Sequence, residues 1–237
     1  FLYFVKKYPS FRKFYYFYNI YIRNFKFMFN GSQFGEGKII ANYFSNGYKG
    51  NFVDLGCFHP TRLNNTFDLY KRGWRGINVD MNSLTIDLFN FCRAGDININ
   101  CAVSNKESIK TYYSNGELSP ENTLEKNHLL FLNKNFNINN QDFKSKKTKT
   151  KTLTNILKKN KFYKVDFLNI DLEGHELKVI KKFNFALFNI KIICIEVLNH
   201  NIKSTKNNKE IQKILKKNNF TLSKKIGVNY FYKNKNF

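Results

Sequence analysis

Three apolar runs in this chain close on an acid, FVD at 52–54, GINVD at 76–80 and VDFLNID at 165–171, and a fourth, IKIICIE at 190–196, closes the same way. Short runs of this kind, rich in Val and Ile, read as buried strands. Helix-like segments follow them: NNTFDLYKRG (64–73), stopped by Gly73; SLTIDLFNFC (83–92), with Ser83 as N-cap; HELKVIKKF (175–183); and the amphipathic STKNNKEIQKILKKNNF (204–220). A further strand is expected over ININCAVS (97–104), a short one over IKTYY (109–113), a short helix over TLTNILKKN (152–160), and two strands around Gly227 in FTLSKKIGVNYFY (220–232). Alternating strands and helices closed by a hairpin require an α/β fold, with a mostly parallel sheet, helices on both faces and an antiparallel strand near one edge. The stretch 114–150 has no steady period, and the run KSKKTKTKT (144–152) that closes it reads as a solvated loop or edge.

In an open parallel sheet, ligands bind beyond the carboxyl ends of the strands. Asp54 lies near such an end, and Gly56 just after it lets backbone approach a ligand with no β-carbon in the way. Asp80 ends the next strand 26 positions later, where an acid can accept hydrogen bonds from both hydroxyls of a ribose. The dinucleotide fingerprint GxGxxG is absent, since CFHPT follows Gly56. A ribose-bearing cofactor without a pyrophosphate fits better, and S-adenosylmethionine is the candidate. VDFLNID repeats the pattern, with Gly174 and a helix beyond it, so Asp171 should open onto the same edge as Asp54. Methyl transfer from a sulfonium needs an oxygen aligned in line and a base in reach of its proton. Asp171, Glu173 and His175 are the candidate catalytic residues, while Glu176, in a first helical turn, also fits a structural role at the helix dipole. A metal site on Asp171, Glu173 and His175 is conceivable, since oxygen and imidazole ligands suit a divalent ion, but the DxExH spacing is not specific and no metal is expected.

These residues together resemble the FkbM family of S-adenosylmethionine-dependent methyltransferases. The resemblance rests on FVDLGCFHP, NNTFDLYKRGWRGINVD, AVS at 102–104, DFLNIDLEGHELKVIKKF and IKIICIE, in that order. SQFGEGKII (32–40) is similar to the SQxGED box of that family, with Gly37 where the pattern has Asp. The resemblance implies a Rossmann-like class I methyltransferase fold with a mostly parallel seven-stranded sheet and an antiparallel C-terminal hairpin strand. It implies that Asp54 and Gly56 shape the cofactor turn, that Asp80 holds the ribose, and that Asp96 or its neighbours approach the adenine; Cys57, which departs from the family, and His59, which could reach the substrate or the cofactor carboxylate, complete the cofactor-binding candidates. Other readings stand beside these: a cap or turn role for Asp54, Asp80 and Asp96, a local hydrogen-bonding role for His59, and either a substrate-binding or a structural role for Glu196. Asn64, Asn65 and Thr66 read as a helix start or as contacts to the methionine end. The implied acceptor is a hydroxyl of a sugar, a glycan precursor or a secondary metabolite, and the stretch 114–150 is expected to shape its pocket.

The 237 residues suit one methyltransferase domain over 31–237, preceded by a basic aromatic extension over 1–30. That extension interleaves aromatics with Lys and Arg and reads either as peripheral contact with a membrane interface or as a helical piece packed on the domain. The net charge of +23 invites a nucleic-acid partner. Lys and Asn are abundant in every region, however, and no catalytic element of base methylation accompanies the charge, so RNA methylation is a rival reading and nucleic acid is not the expected partner. A non-catalytic module that binds membrane or glycan is the other rival. Cys57, Cys92, Cys101 and Cys194 show no CxxC spacing and are expected to be reduced thiols in a cytoplasmic protein, peripheral to the membrane at most. The chain opens on Phe1, so its true start is expected upstream.

Overall fold

The structure is a computed structural model and describes residues 7–197 and 202–237. The chain opens with α1 (Pro9–Phe17), a π-helical turn (Tyr18–Arg23), a 3-10 turn (Phe25–Met28) and α2 (Glu36–Ala41). The alternating part follows: β1 (Asn51–Leu55), α3 (Phe67–Lys71), β2 (Arg75–Asp80), α4 (Ser83–Cys92) and β3 (Ile97–Asn100). Next come β4 (Ala102–Val103), β5 (Ser108–Ser114), α5 (Lys126–Phe136), β6 (Lys144–Lys151) and α6 (Leu153–Lys159). The chain closes with β7 (Lys164–Ile170), α7 (Glu176–Lys182), β8 (Asn189–Glu196), α8 (Ile202–Lys217), β9 (Phe220–Ile226) and β10 (Asn229–Asn234).

Seven strands form one sheet in the order β3-β2-β1-β7-β8-β10-β9. β3, β2, β1, β7 and β8 are mutually parallel, and β10 runs antiparallel to both β8 and β9. Side chains alternate across the sheet. Val53, Leu55, Ile77, Val79, Leu168 and Ile170 face one way, onto Leu157 of α6, Val179 of α7 and Leu215 of α8. Phe52, Phe167, Ile192 and Phe231 face the other, onto Ile40 of α2, Leu69 of α3 and Trp74. A sheet buried on both faces explains why its strands are apolar almost without interruption.

Several sequence expectations need correction. Residues 97–104 are two strands, because at Cys101 the chain leaves the large sheet and β4 joins a second one, ordered β4-β6-β5. KSKKTKTKT is neither loop nor edge: β6 is the central strand of that second sheet. Its Lys and Thr alternate with the period of a strand, and Thr150 turns inward to bond the carbonyls of Lys106 and Ser108. The stretch 114–150 also holds α5, whose buried face is His128, Leu129 and Leu132. α4 is capped by Asn82, whose side chain accepts from Leu84 N at 3.0 Å, and not by Ser83. Cys57, Cys101 and Cys194 are buried free thiols, and Cys92 is half-buried.

The described part of the N-terminal extension packs on α4. Tyr15, Tyr16 and Ile20 cluster with Leu84 and Leu88, and Tyr16 donates to Asp87 at 3.1 Å. Residues 1–6 of that extension lie outside the described residues. Among the described residues, no helix is long and apolar enough to cross a membrane.

Candidate active site

Register carries four residues to one rim. Val79, Leu55, Ile170 and Ile195 stand in line across β2, β1, β7 and β8. The positions one step further, Asp80, Gly56, Asp171 and Glu196, therefore share the carboxyl edge of the sheet. All four line a cleft of about 560 Å3.

Each tip is built for close approach. Gly56 has φ +75°, and a β-carbon there would stand 1.8 Å from the carbonyl oxygen of Asp171, so only glycine lets β1 turn beside β7. Asp80 accepts from Phe58 N at 3.0 Å and Asn82 N at 2.7 Å, one amide per carboxylate oxygen. Burial nonetheless pushes its carboxyl up to about 6. The apolar Met81, Ala102 and Val103 line the cleft beside it. Asp171 is driven well above the carboxylate range, first by burial and then by the charges of Glu173 and Glu176. Glu196 is raised in the same way, by burial and then by Asp171 and Glu173.

Beyond Asp171 the chain adopts two successive left-handed residues, Glu173 at φ +50° and Gly174 at φ +92°. The glycine takes this conformation at no steric cost, whereas the glutamate is strained there by roughly 1–2 kcal/mol. Two contacts hold Glu173: its carbonyl accepts from Thr123 Oγ1 at 2.9 Å, and its Oε2 lies 3.0 Å from His128 Nε2. Glu176 does not reach the chemistry. Its Oε1 accepts from Leu172 N and Gly174 N and fastens the turn to the start of α7.

Of the three candidate catalytic residues, Asp171 and Glu173 present carboxylates to the cleft, but His175 does not fit a free base. Its Nδ1 lies 2.6 Å from Glu125 Oε1 and its Nε2 lies 3.0 Å from Ser104 Oγ. Both ring nitrogens are thus committed. Burial also lowers the imidazole's affinity for a proton. Lys178 pairs with the same Glu125 oxygen, and Lys110 donates to Ser104 at 2.8 Å, so His175 locks α7 to α5 and to the chain after β4.

Four residues assigned to the cofactor lie outside the cleft. Asp54 sits two positions before Gly56 and points to the opposite side of the sheet from Leu55. There it is buried and accepts from Asn64, Thr66 and Asn169 at 2.9–3.0 Å. Burial raises its carboxyl despite three donors. Arg93, fully buried, donates to Asn64 at 2.8 Å and Thr66 at 3.0 Å from the other side, so Asp54 braces the 57–66 loop from beneath. Asn64, Asn65 and Thr66 accordingly serve this network, Asn65 through Asn169 at 3.1 Å, and make no wall of the cleft. Cys57 packs on Ile86 and Phe89. His59 is held neutral by burial, with its pKa lowered to about 3. It accepts from Thr61 N and Arg62 N and joins Asn19 of the extension at 2.9 Å. Asp96 precedes β3, accepts from Gly76 N and Asn78 Nδ2, and stands at the amino end of the strands. From Gly76 to Asp80 is four steps, roughly 13 Å at strand rise, which separates Asp96 from the rim.

The 114–150 stretch supplies one wall through Leu124, His128, Phe131, Leu132 and Phe136, and the residues before β1 supply another through Gln33 and Phe34. Glu125 and His128 had no sequence signal, since the spacing of their helix shows no clean apolar period. Gly37, which departs from the SQxGED box, backs onto α3: a β-carbon there would lie 2.3 Å from Asp68 Oδ2.

Comparison with known families gives one match. The family model described as Methyltransferase FkbM domain matches residues 46–222, a span that runs from before β1 into β9 and contains all four strand tips. No curated protein matches the chain.

Proposed function

Because the chain belongs to the FkbM family of methyltransferases, we propose that it is an S-adenosylmethionine-dependent O-methyltransferase whose acceptor is a hydroxyl of a sugar, a glycan precursor or a secondary metabolite. The strand order, with six strands running one way and one antiparallel strand, β10, inserted before the last, supports assignment to the Rossmann-like class I methyltransferases. The single observation that carries the reading is the row Asp80, Gly56, Asp171 and Glu196 along one wall of one cleft.

The residues present fit such a cofactor. Asp80 keeps acceptor capacity toward the cleft after its two backbone amides, as a ribose diol requires. Gly56 lines the cleft and, lacking a β-carbon, lets its turn lie against the backbone of Asp171. The volume falls in the usual range for small-molecule sites. When bound, S-adenosylmethionine supplies an electrophilic methyl group on sulfur. The acceptor hydroxyl would then need a base of this chain within reach of its proton. Asp171 is the carboxylate of the row beside Gly56, and the Glu173–His128 pair is the second group able to take that proton.

Transfer is tested by incubating the full chain with methyl-labelled S-adenosylmethionine and a panel of nucleotide sugars and glycans. Label should appear in a hydroxylated acceptor. Asp171→Asn should lower turnover by about 10²–10⁴-fold while cofactor affinity is kept. Binding of the cofactor without transfer to any acceptor would favour the inactive binder, and unchanged turnover in Asp171→Asn would remove that residue from the chemistry.

A further inference from the structure

Asp171, Glu173 and Glu196 each offer a carboxylate oxygen, and the three oxygens lie within 4.8 Å of one another. An independent observation concerns Glu196. The residue is 9 % exposed, and its Oε2 is buried with no hydrogen-bond donor. An acceptor hidden from water and left without a donor is costly, and a charged one more so. The chain carries 40 Lys and Arg, yet the strongest charges acting on Asp171 and Glu196 are those of neighbouring carboxylates.

We propose that Asp171, Glu173 and Glu196 hold a divalent cation of the Mg²⁺ or Mn²⁺ class at the tips of β7 and β8. Two oxygens on such an ion at about 2.0–2.1 Å stand at most roughly 4 Å apart, so oxygens already within 4.8 Å of one another need draw together only slightly to share one. A donor set made only of carboxylates selects a hard cation over zinc or copper. The surroundings orient the donors. His128 holds one oxygen of Glu173 and leaves the other for the ion, as outer partners of metal ligands commonly do. The backbone of Glu173 is left-handed and held by Thr123 at its carbonyl, and its carboxylate lies beside that of Asp171. His175 takes no part, since Glu125 and Ser104 occupy its nitrogens. The role of the ion rests on the methyl-transfer reading, where it would bind the acceptor oxygen and loosen its proton, so that Asp171 and Glu173 would act through the ion in place of taking the proton themselves. Its binding does not rest on that reading. The rival arrangement is a proton shared between Asp171 and Glu196.

Mn²⁺ titrated into the chelator-stripped full chain, followed by calorimetry and by electron paramagnetic resonance, decides between them. One saturable site displaced by Mg²⁺ is expected, weakened at least tenfold in Glu196→Gln and in Asp171→Asn, with melting curves retained. Glu173→Gln serves if either variant fails to fold. No saturable Mn²⁺ binding by the wild type, or binding unchanged in the variants, would overturn the site in favour of the shared proton. S-adenosylmethionine affinity is measured in parallel. Mn²⁺ binding without cofactor binding would support the site and overturn the methyltransferase reading instead.

Discussion

Burial pushes the carboxyl of Glu176 up to about 7, even though two backbone amides hold its Oε1. The native state therefore binds this proton more tightly than the unfolded chain, whose glutamates titrate near 4.3. The contribution to stability is fully present below that unfolded value and is lost as pH rises through about 7. In a chelating buffer, the melting temperature should fall between roughly pH 4.5 and 7, and Glu176→Gln, which keeps the acceptor oxygen, should flatten that fall. A wild-type melting temperature that rises across the window would contradict the assignment. Parity along a strand matters as much as charge at this scale. Asp54 and Asp80 both follow apolar residues near strand ends, but Asp54 is two positions short of its tip and is spent on Asn64, Thr66 and Asn169. Asp80 stands at its tip and lines the cleft.

Among the elements, the N-terminal extension has two different faces. Tyr15, Tyr16, Asn19 and Ile20 are buried, whereas Phe11, Phe14, Phe17, Ile22, Phe25 and Phe29 are exposed, Phe29 to 76 %. Arg12, Lys13 and Lys26 are interleaved with these rings. Exposed aromatic side chains interleaved with cations match the chemistry of an anionic bilayer interface. We propose that this face rests on such a surface. The protein should float with vesicles containing acidic phospholipid, release at high salt, and lose flotation in Phe14→Ser/Phe25→Ser. Equal flotation with purely neutral vesicles, or none with acidic ones, would refute it. The strands of the large sheet were legible in sequence because burial on both faces forces near-continuous Val, Ile, Leu and Phe. β6 was not, because a strand of alternating Lys and Thr has the right period and almost no hydrophobicity. α5 was hidden for a related reason: its buried face includes the polar His128 while Leu130 and Phe136 are exposed, so polarity does not track burial along the helix. Glu173 and Asp171 could be read as neighbours in the chain, but their meeting with Glu196 depends on β7 and β8 pairing in register, which no local pattern states.

For the molecule as a whole, the sign of the charge and the chemistry of the site oppose each other. A chain of net charge +23 concentrates Asp80, Asp171, Glu173 and Glu196 around one cleft, and it does so because parallel strands deliver their last residues to one edge. The positive exterior draws anionic partners toward it over a Debye length, while the acids at the tips favour cationic groups, a sulfonium or a metal ion, inside. The methyltransferase reading requires Asp80 to be the ribose acceptor of an adenosyl cofactor in that cleft. Isothermal titration of S-adenosylmethionine into the wild type and Asp80→Ala tests it most directly. The account expects saturable one-to-one binding by the wild type and at least a tenfold loss in the variant with its fold intact; equal affinity in both would contradict it.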